Sequence, residues 1–269
     1  MIIKGLVTTI IPVYNRSFLL RDAVESVKNQ THRAIEVVIV DDGSTDDTPA
    51  VAESLSSNSG IPIRVIHQAN SGPGAARQKG LEDARGEFIQ FLDSDDLLLP
   101  GKFSAQVAAL QELPACGICY GPSTEEDHST TPARLDYPMR ATGIKISKLF
   151  PRLLVERWWT TSTPLYRRSL LDAIGPWNAW RNEEDWEYDG RCGASGTLLA
   201  WVQEPCSIRR INLGEDHLSY QGSVDPRKLA DRARARQSLF RSALAAGVDL
   251  EAPEMKHFSR SAFLLSRQG

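Results

Sequence analysis

The sequence predicts an α/β fold, a mostly parallel sheet flanked by helices. Three observations carry this. Short apolar, β-branched runs alternate with helically spaced apolar residues through the first 120 positions, the pattern of strand–helix–strand units. Polar loops fall just after the strand-like runs, where an open parallel sheet collects its ligands. The 269 residues are 41% hydrophobic and 24% charged, enough for one large core.

The elements follow in order. Leu6 to Ile11 reads as a strand that Pro12 ends. Leu20, Val24 and Val27 recur at helical spacing. Glu36 to Val40 is an apolar run of the kind buried on both faces, and Asp41 to Thr48 is a polar loop. Thr48-Pro49 reads as a cap and first helical position, with Val51 and Leu55 following. Ile63 to Ile66 is a short strand. Gly72-Pro-Gly74 opens a helix and Gly86 closes it. Phe88 to Leu92 is a fourth strand, ending at Asp93. Phe103, Val107 and Leu110 mark a helix, and Gly117 to Tyr120 a strand.

The alternation weakens after residue 121. Residues 122–142, rich in Thr, Pro, Glu and Asp, read as a long loop. Trp158 to Tyr166 reads as a strand, Glu183 to Ser195 as a helix, Leu198 to Ile211 as one strand or two, and Pro226 to Ala246 as a basic helix. There is no internal repeat.

Several classes are set aside. Lys and Arg number 31 against 34 Asp and Glu, a net charge of -3, so nucleic acid is not an expected partner. No apolar run approaches the roughly 18 residues of a membrane span. The start, Met1-Ile-Ile-Lys-Gly5, runs into a strand without signal-peptide features. Four Cys do not make a disulfide scaffold. A cytoplasmic home is expected, with peripheral contact at the inner membrane face as a second reading. The segment from Arg227 to Arg241, with Lys228, Arg232, Arg234 and Arg236, can rest on anionic lipid. Its plainer reading is a solvated helix face with Leu229, Leu239 and Phe240 packed on the domain.

The chemistry gathers in the loops after the strands. Asp93 and Asp95 are two apart, so in extended chain they project to one side. They can share Mg²⁺ or Mn²⁺, or divide between a ribose and a metal; an acidic cap before a helix is the competing reading. Of Asp41 and Asp42, one can accept from a pyrimidine imide N–H while the other ends the strand. Tyr14 can pack on a base face or be rim packing. Gly72-Pro-Gly74-Ala-Ala-Arg77 is half of a dinucleotide fingerprint. It does not follow the first strand, and Arg77 replaces the third glycine, so a helix start near a phosphate with Arg77 as charged partner is the sounder reading. Cys116 and Cys119 sit in a strand with no second metal-binding pair and read as packing. Glu183-Glu-Asp-Trp-Glu187 suits a helix start or supplies a general base for an alcohol. His217 is a loop histidine, surface or ligand. Trp158, Trp159, Trp177 and Trp180 are core or a sugar-stacking wall.

Together these motifs resemble the inverting GT-A glycosyltransferases of family 2, of the bacterial polysaccharide type. The resemblance rests on Thr9-Ile-Ile-Pro-Val-Tyr-Asn15, Val37-Val-Ile-Val-Asp-Asp-Gly-Ser-Thr-Asp46, Asn70-Ser-Gly-Pro-Gly-Ala-Ala-Arg77 with Gly80, and Gly86-Glu-Phe-Ile-Gln-Phe-Leu-Asp-Ser-Asp-Asp96, in family order and spacing. Leu170 to Trp177 followed by Glu184-Asp185 resembles the acceptor-side "ED" segment, and Ile208-Arg-Arg with His217 the late Arg…His segment. Gln78 departs from the family's usual Asn.

The resemblance implies a GT-A fold with a donor-binding half over 1–120, an acceptor and catalytic-base half over 121–217, and a C-terminal helical extension over 218–269. It implies transfer of a sugar from a nucleoside-diphosphate donor, UDP before GDP or dTDP, to an acceptor hydroxyl on a glycan or a lipid-linked molecule. Pro12, Tyr14 and Asp42 would hold the base, Asp93 the ribose or the metal's water shell, and Asp95 the Mn²⁺ or Mg²⁺. Arg77 would lie near the donor. Asp185 would be the base with Glu184 supporting it, and His217 a late metal or diphosphate contact. Two alternatives stand beside it: a silent nucleotide-sugar binding module, and a sugar-phosphate nucleotidyltransferase, whose Gly-rich basic signature is missing.

Overall fold

A computed structural model describes residues 1–57, 59–129, 133–134, 139–212 and 225–266. The first part alternates as expected: β1 (Ile3–Val13), α1 (Ser17–Lys28), β2 (Ile35–Asp41), α2 (Thr48–Ser57), β3 (Ile63–His67), α3 (Pro73–Asp83) and β4 (Gly86–Phe91). Then come β5 (Leu97–Leu98), α4 (Lys102–Glu112), β6 (Cys116–Tyr120), β7 (Ser123–Asp127), β8 (Ala133–Arg134), β9 (Leu165–Arg167) and α5 (Arg168–Ile174). The last elements are α6 (Glu184–Ala194), β10 (Leu198–Trp201), β11 (Ser207–Ile211), α7 (Pro226–Ala245) and α8 (Pro253–Ser266).

The main sheet has the order β10-β6-β9-β4-β1-β2-β3. β1 pairs in parallel with β2 and β4, β2 with β3, and β6 with β10. Only β9 is antiparallel, wedged between β4 and β6. Strands from both the 1–120 and the 121–217 stretches therefore share one sheet. β2 is buried along its whole length, as a strand covered on both faces must be.

Alternation along the strands feeds two cores. Val7, Ile11 and Phe88 pack under α1, α2 and α4 with Leu20, Val24, Val27, Phe103 and Val107. Ile10, Ile89 and Phe91 point to the other face, against Leu81, Leu171, Tyr188, Leu239 and Phe258. Each fully buried Val, Leu or Phe there contributes about 1.5–3 kcal/mol.

Three expectations need correction. Pro12 does not end the first strand; it pairs with Val40, and Asp42 N–H donates to Val13 O at 2.9 Å beyond it. A proline lacks only its own N–H, so the ladder continues through its neighbours. The 122–142 stretch is not all loop: β7 and β8 lie in a second sheet of order β5-β11-β7-β8. The strand expected over Trp158 to Tyr166 shrinks to Leu165–Arg167. Before it, the Ser162 and Thr163 carbonyls accept from Gln90, Lys102 and Gln106 side chains, in place of a strand partner. Finally, the helical extension expected over 218–269 holds a second helix, α8, beyond the one read over Pro226 to Ala246.

Candidate active site

The ends of β1 and β2 and the start of α3 form one wall of the site. Asp42, buried, accepts from Gln68 Nε2 at 2.7 Å and from the Ser71 and Gly72 amides at 2.8 Å each. It thereby pins the loop before α3, and three of about four carboxylate acceptor positions are used. Asp41 accepts from Ser44 N and pairs with His67 Nδ1 at 3.0 Å. Asn15, at φ +50, accepts from Thr45 N at 2.8 Å, locking the β1 and β2 loops together. Tyr14 stands on the rim, 43% exposed. Pro12 lies just below it on β1.

Gly72 takes φ +92, a left-handed value that a side chain resists. A Cβ on Gly74 would strike the Asn178 carbonyl, so this glycine lets the chain around Asn178 cross the start of α3. Arg181 closes the same crossing by donating to Asn70 Oδ1 at 2.9 Å.

The loop after β4 holds the acid cluster. Ser162 Oγ donates to Asp96 Oδ2 at 2.6 Å and accepts from Asp93 N at 3.2 Å. Arg210 reaches across from β11. Its Nε donates to Asp95 O at 2.6 Å, its Nη1 to Asp22 at 2.7 Å and its amide to Asp96 Oδ1 at 3.3 Å. Burial, with the charges of Asp95 and Asp93 adding to it, pushes Asp96 well above the usual carboxylate range. Asp96 is thus a structural member of the loop. Asp93 and Asp95 are both half-buried.

Arg77 joins this loop to α6. Its Nη2 donates to Asp93 Oδ1 at 2.8 Å and its Nη1 to Glu184 Oε1 at 2.6 Å. The guanidinium lies 5.1 Å from the centre of the Trp177 ring. Burial alone would lower its pKa, but Asp93, Glu184 and Asp185 hold it above its ordinary value. Burial pushes Glu184 up to about 7 in spite of Arg77.

Asp185 has a different environment. Its Oδ2 accepts from Arg157 Nη1 at 2.7 Å and Thr161 Oγ1 at 3.2 Å, and its Oδ1 from Trp186 N at 2.7 Å. Burial opposes ionisation, yet Arg157 and Arg77 hold Asp185 below the usual range. Arg157 also donates through Nε to Asp189 Oδ2 at 2.7 Å. Asp189 is one turn on along α6, so one guanidinium forks across both. Trp159 Nε1 and Tyr166 OH complete the shell of Asp189, each at 2.8 Å.

The start of α6 is held from behind. Glu183, at φ +56, accepts from Arg232 Nε at 2.7 Å and from Arg236 on α7. The Arg236 guanidinium also covers the Trp186 ring at 4.3 Å. α7 therefore grips the residues on both sides of Glu184-Asp185.

The structure brings Arg77, Asp93, Glu184 and Asp185 into one cluster, with Asp95 on the same loop as Asp93. Pro12, Tyr14 and Asp42 line the neighbouring wall. His217 lies outside the described residues. Trp158, Trp159 and Trp177 are buried in the core, Trp177 stacked on Tyr188 at 3.9 Å, so these three form no sugar-stacking wall. All four cysteines are buried and free. Arg157, Thr161 and Ser162 were missed, because nothing local distinguishes a buried arginine or a hydroxyl aimed at a carboxylate from a solvated one.

Asp93 and Asp95 offer hard oxygen donors. Among the described residues no three His, Cys, Asp or Glu side chains gather to hold a metal unaided. Two carboxylates that leave positions for diphosphate and water match the habit of Mg²⁺ and Mn²⁺, so the residues present fit such an ion.

The family model for glycosyl transferase family 2 matches residues 8–175. The chain belongs to glycosyl transferase family 2. The glycosyltransferase EpsH of Bacillus subtilis (strain 168) is 33% identical over 222 residues, 80% of this chain and 63% of that protein. An uncharacterized glycosyltransferase of Rickettsia felis is 44% identical over 106 residues, 39% of this chain and 17% of that protein. The chain thus spans less than two thirds of these two relatives. The family fold is equally plain. TarS 1–349 of S. aureus in complex with UDP-GlcNAc superposes with a TM-score of 0.71 at 20% identity, covering 98% of this chain and 72% of that one. The Pyrobaculum calidifontis mannosyltransferase PcManGT in complex with GDP-Man and Mn²⁺ gives 0.61 at 17% identity, covering 98% and 76%.

Proposed function

We propose that this protein is a metal-dependent inverting glycosyltransferase that moves a sugar from a UDP-linked donor to a hydroxyl of a glycan or lipid-linked acceptor. The observation that carries this is the Arg77 bridge. It couples Asp93, in the donor loop, to Glu184, beside Asp185 on α6. A donor-side acid and an acceptor-side acid held by one guanidinium suit a displacement between two substrates. Family membership supports the reaction class, and the UDP-GlcNAc of TarS and the GDP-Man and Mn²⁺ of PcManGT support the donor class.

In this reading Pro12, Tyr14 and the remaining acceptor position of Asp42 receive the nucleobase. Asp95 would hold Mn²⁺ or Mg²⁺, with Asp93 at the ribose or the ion's waters, and the ion would supply charge neutralisation at the departing diphosphate. Asp185 is the base. Three hydrogen bonds orient its carboxylate, one Oδ1 position is left for an acceptor hydroxyl, and Arg157 keeps it ionised. It takes the hydroxyl proton as the oxygen attacks the anomeric carbon opposite the leaving nucleoside diphosphate, inverting that centre. Glu184 holds Arg77 in place. Water exclusion falls to the buried wall of Trp177 and Tyr188 behind the cluster.

Calorimetry with UDP, GDP and dTDP, each with and without Mn²⁺, tests the donor half. One nucleotide should bind in a metal-dependent way and lose that dependence in Asp95→Asn. No binding of any of the three would sink the reading. Binding without turnover across donor and acceptor panels would point to the silent module.

A further inference from the structure

The arginines of α7 divide into two rows, with Lys228 buried apart from them. Arg232 and Arg236, one turn apart, point inward and hold Glu183. Arg227, Arg234 and Arg241 recur every seven residues, two turns each, so they run along one side of the helix. Arg227 and Arg241 are exposed and make no ion pair among the described residues. Arg234 pairs with Asp231 at 2.9 Å on its own helix and remains 62% exposed.

Beside this outer row lies an open trough of about 860 Å³ between α7 and α8. Its floor is Leu229, Ala230, Ala233 and Phe240 of α7 with Phe258 and Ala262 of α8. Apolar surface flanked by a cationic row is the arrangement of a helix that lies in a membrane interface. No helix among the described residues is long and apolar enough to cross a membrane, so the contact would be peripheral. The floor favours a lipid over a peptide. An acyl chain needs no hydrogen-bond partners, whereas a docked peptide would bury N–H and C=O groups on a surface whose polar lining is confined to Arg234, Arg236, Gln237 and Ser259.

We propose that the outer face of α7 and α8 docks anionic membrane lipid, with an acyl chain in the trough and lipid phosphates on Arg227, Arg234 and Arg241. Arg236 borders the trough and also holds Glu183 and Trp186, so the lipid contact would sit one side chain away from the Glu184-Asp185 pair. The inference does not depend on the transfer chemistry proposed above.

The test is co-sedimentation with vesicles of phosphatidylcholine alone and of phosphatidylcholine mixed with phosphatidylglycerol. The wild type should partition onto the mixed vesicles only, and less as salt rises. Each arginine near an anionic surface is worth roughly fivefold in partition, so Arg234→Gln with Arg241→Gln should bind about 25-fold more weakly. Ala233→Glu, which puts a carboxylate in the trough at an exposed helix position, should also abolish binding while keeping the wild-type circular dichroism. Equal partition onto both vesicles, or onto neither, overturns the proposal. A dimer on size exclusion that Ala233→Glu dissociates, with vesicle binding unchanged, would give the trough to a second copy of the chain and overturn it too.

Discussion

Arg77 and Glu184 stand 107 positions apart in sequence and 2.6 Å apart in the fold. The pair is buried, and Asp93 shares the same guanidinium. Removing one partner of a buried ion pair typically costs about 3–5 kcal/mol, because the other charge is stranded. Arg77→Met should therefore lower the unfolding free energy by that order in denaturant titrations at about pH 8, where Glu184 is ionised. Arg77→Lys should recover only part of the loss, since an ammonium cannot fork to two carboxylates in one plane. A Met variant as stable as wild type would show that the bridge does not hold the two halves together.

Asp185→Asn should leave nucleotide binding intact and abolish transfer. A positioned base is worth about 10²–10⁴-fold, so initial rates with a working donor and acceptor should fall by at least a hundredfold. A fivefold loss would reassign the base.

Arg157 reads as the residue that keeps Asp185 charged. Arg157→Gln should raise the Asp185 pKa and move the acid limb of the pH–rate profile upward. The shift can also be followed without any substrate, as the ¹³C titration of the carboxyl resonance that Asp185→Asn removes. An unmoved titration would mean that Arg77 alone sets the charge state.

Glu184 makes stability depend on pH in the less familiar direction. Its folded pKa is raised to about 7, from an ordinary 4.5, by burial. Between those values the native state keeps a proton that the unfolded chain has released, so unfolding free energy falls as pH rises. The drop is on the order of 3 kcal/mol and levels off above pH 7. Glu184→Gln should flatten that part of the stability–pH curve, and a slope unchanged by the substitution would refute the assignment.

Much of the first 120 residues was legible from local pattern alone. The short apolar, β-branched runs at 6–11, 36–40, 63–66 and 88–92 each became a strand. The end of β1 and the polar loops after the strands carry Pro12, Tyr14 and Asp42 on one wall and Asp93 in the neighbouring acid cluster. What lay beyond residue 121 was harder. β7 carries Glu125, Glu126 and Asp127, a composition that looks like loop, and it forms a strand because β11 offers it a parallel partner with Arg209 opposite Glu125. The Trp158–Thr163 stretch looks like a strand by composition, yet its hydrogen bonds go to buried side chains.

The sequence by itself determined the α/β class, the order of the elements in the first 120 residues and which acids stand at strand ends. Those features depend on periodicity and on residues a few positions apart. Only the tertiary structure decided which cation meets which acid. Arg77, Arg157, Arg210 and Arg236 are written with the same letter as the solvated Arg227 and Arg241. An arginine's role follows from whether long-range packing removes it from water and which carboxylate shares its burial. That is a property of the assembled cores and not of the neighbouring residues.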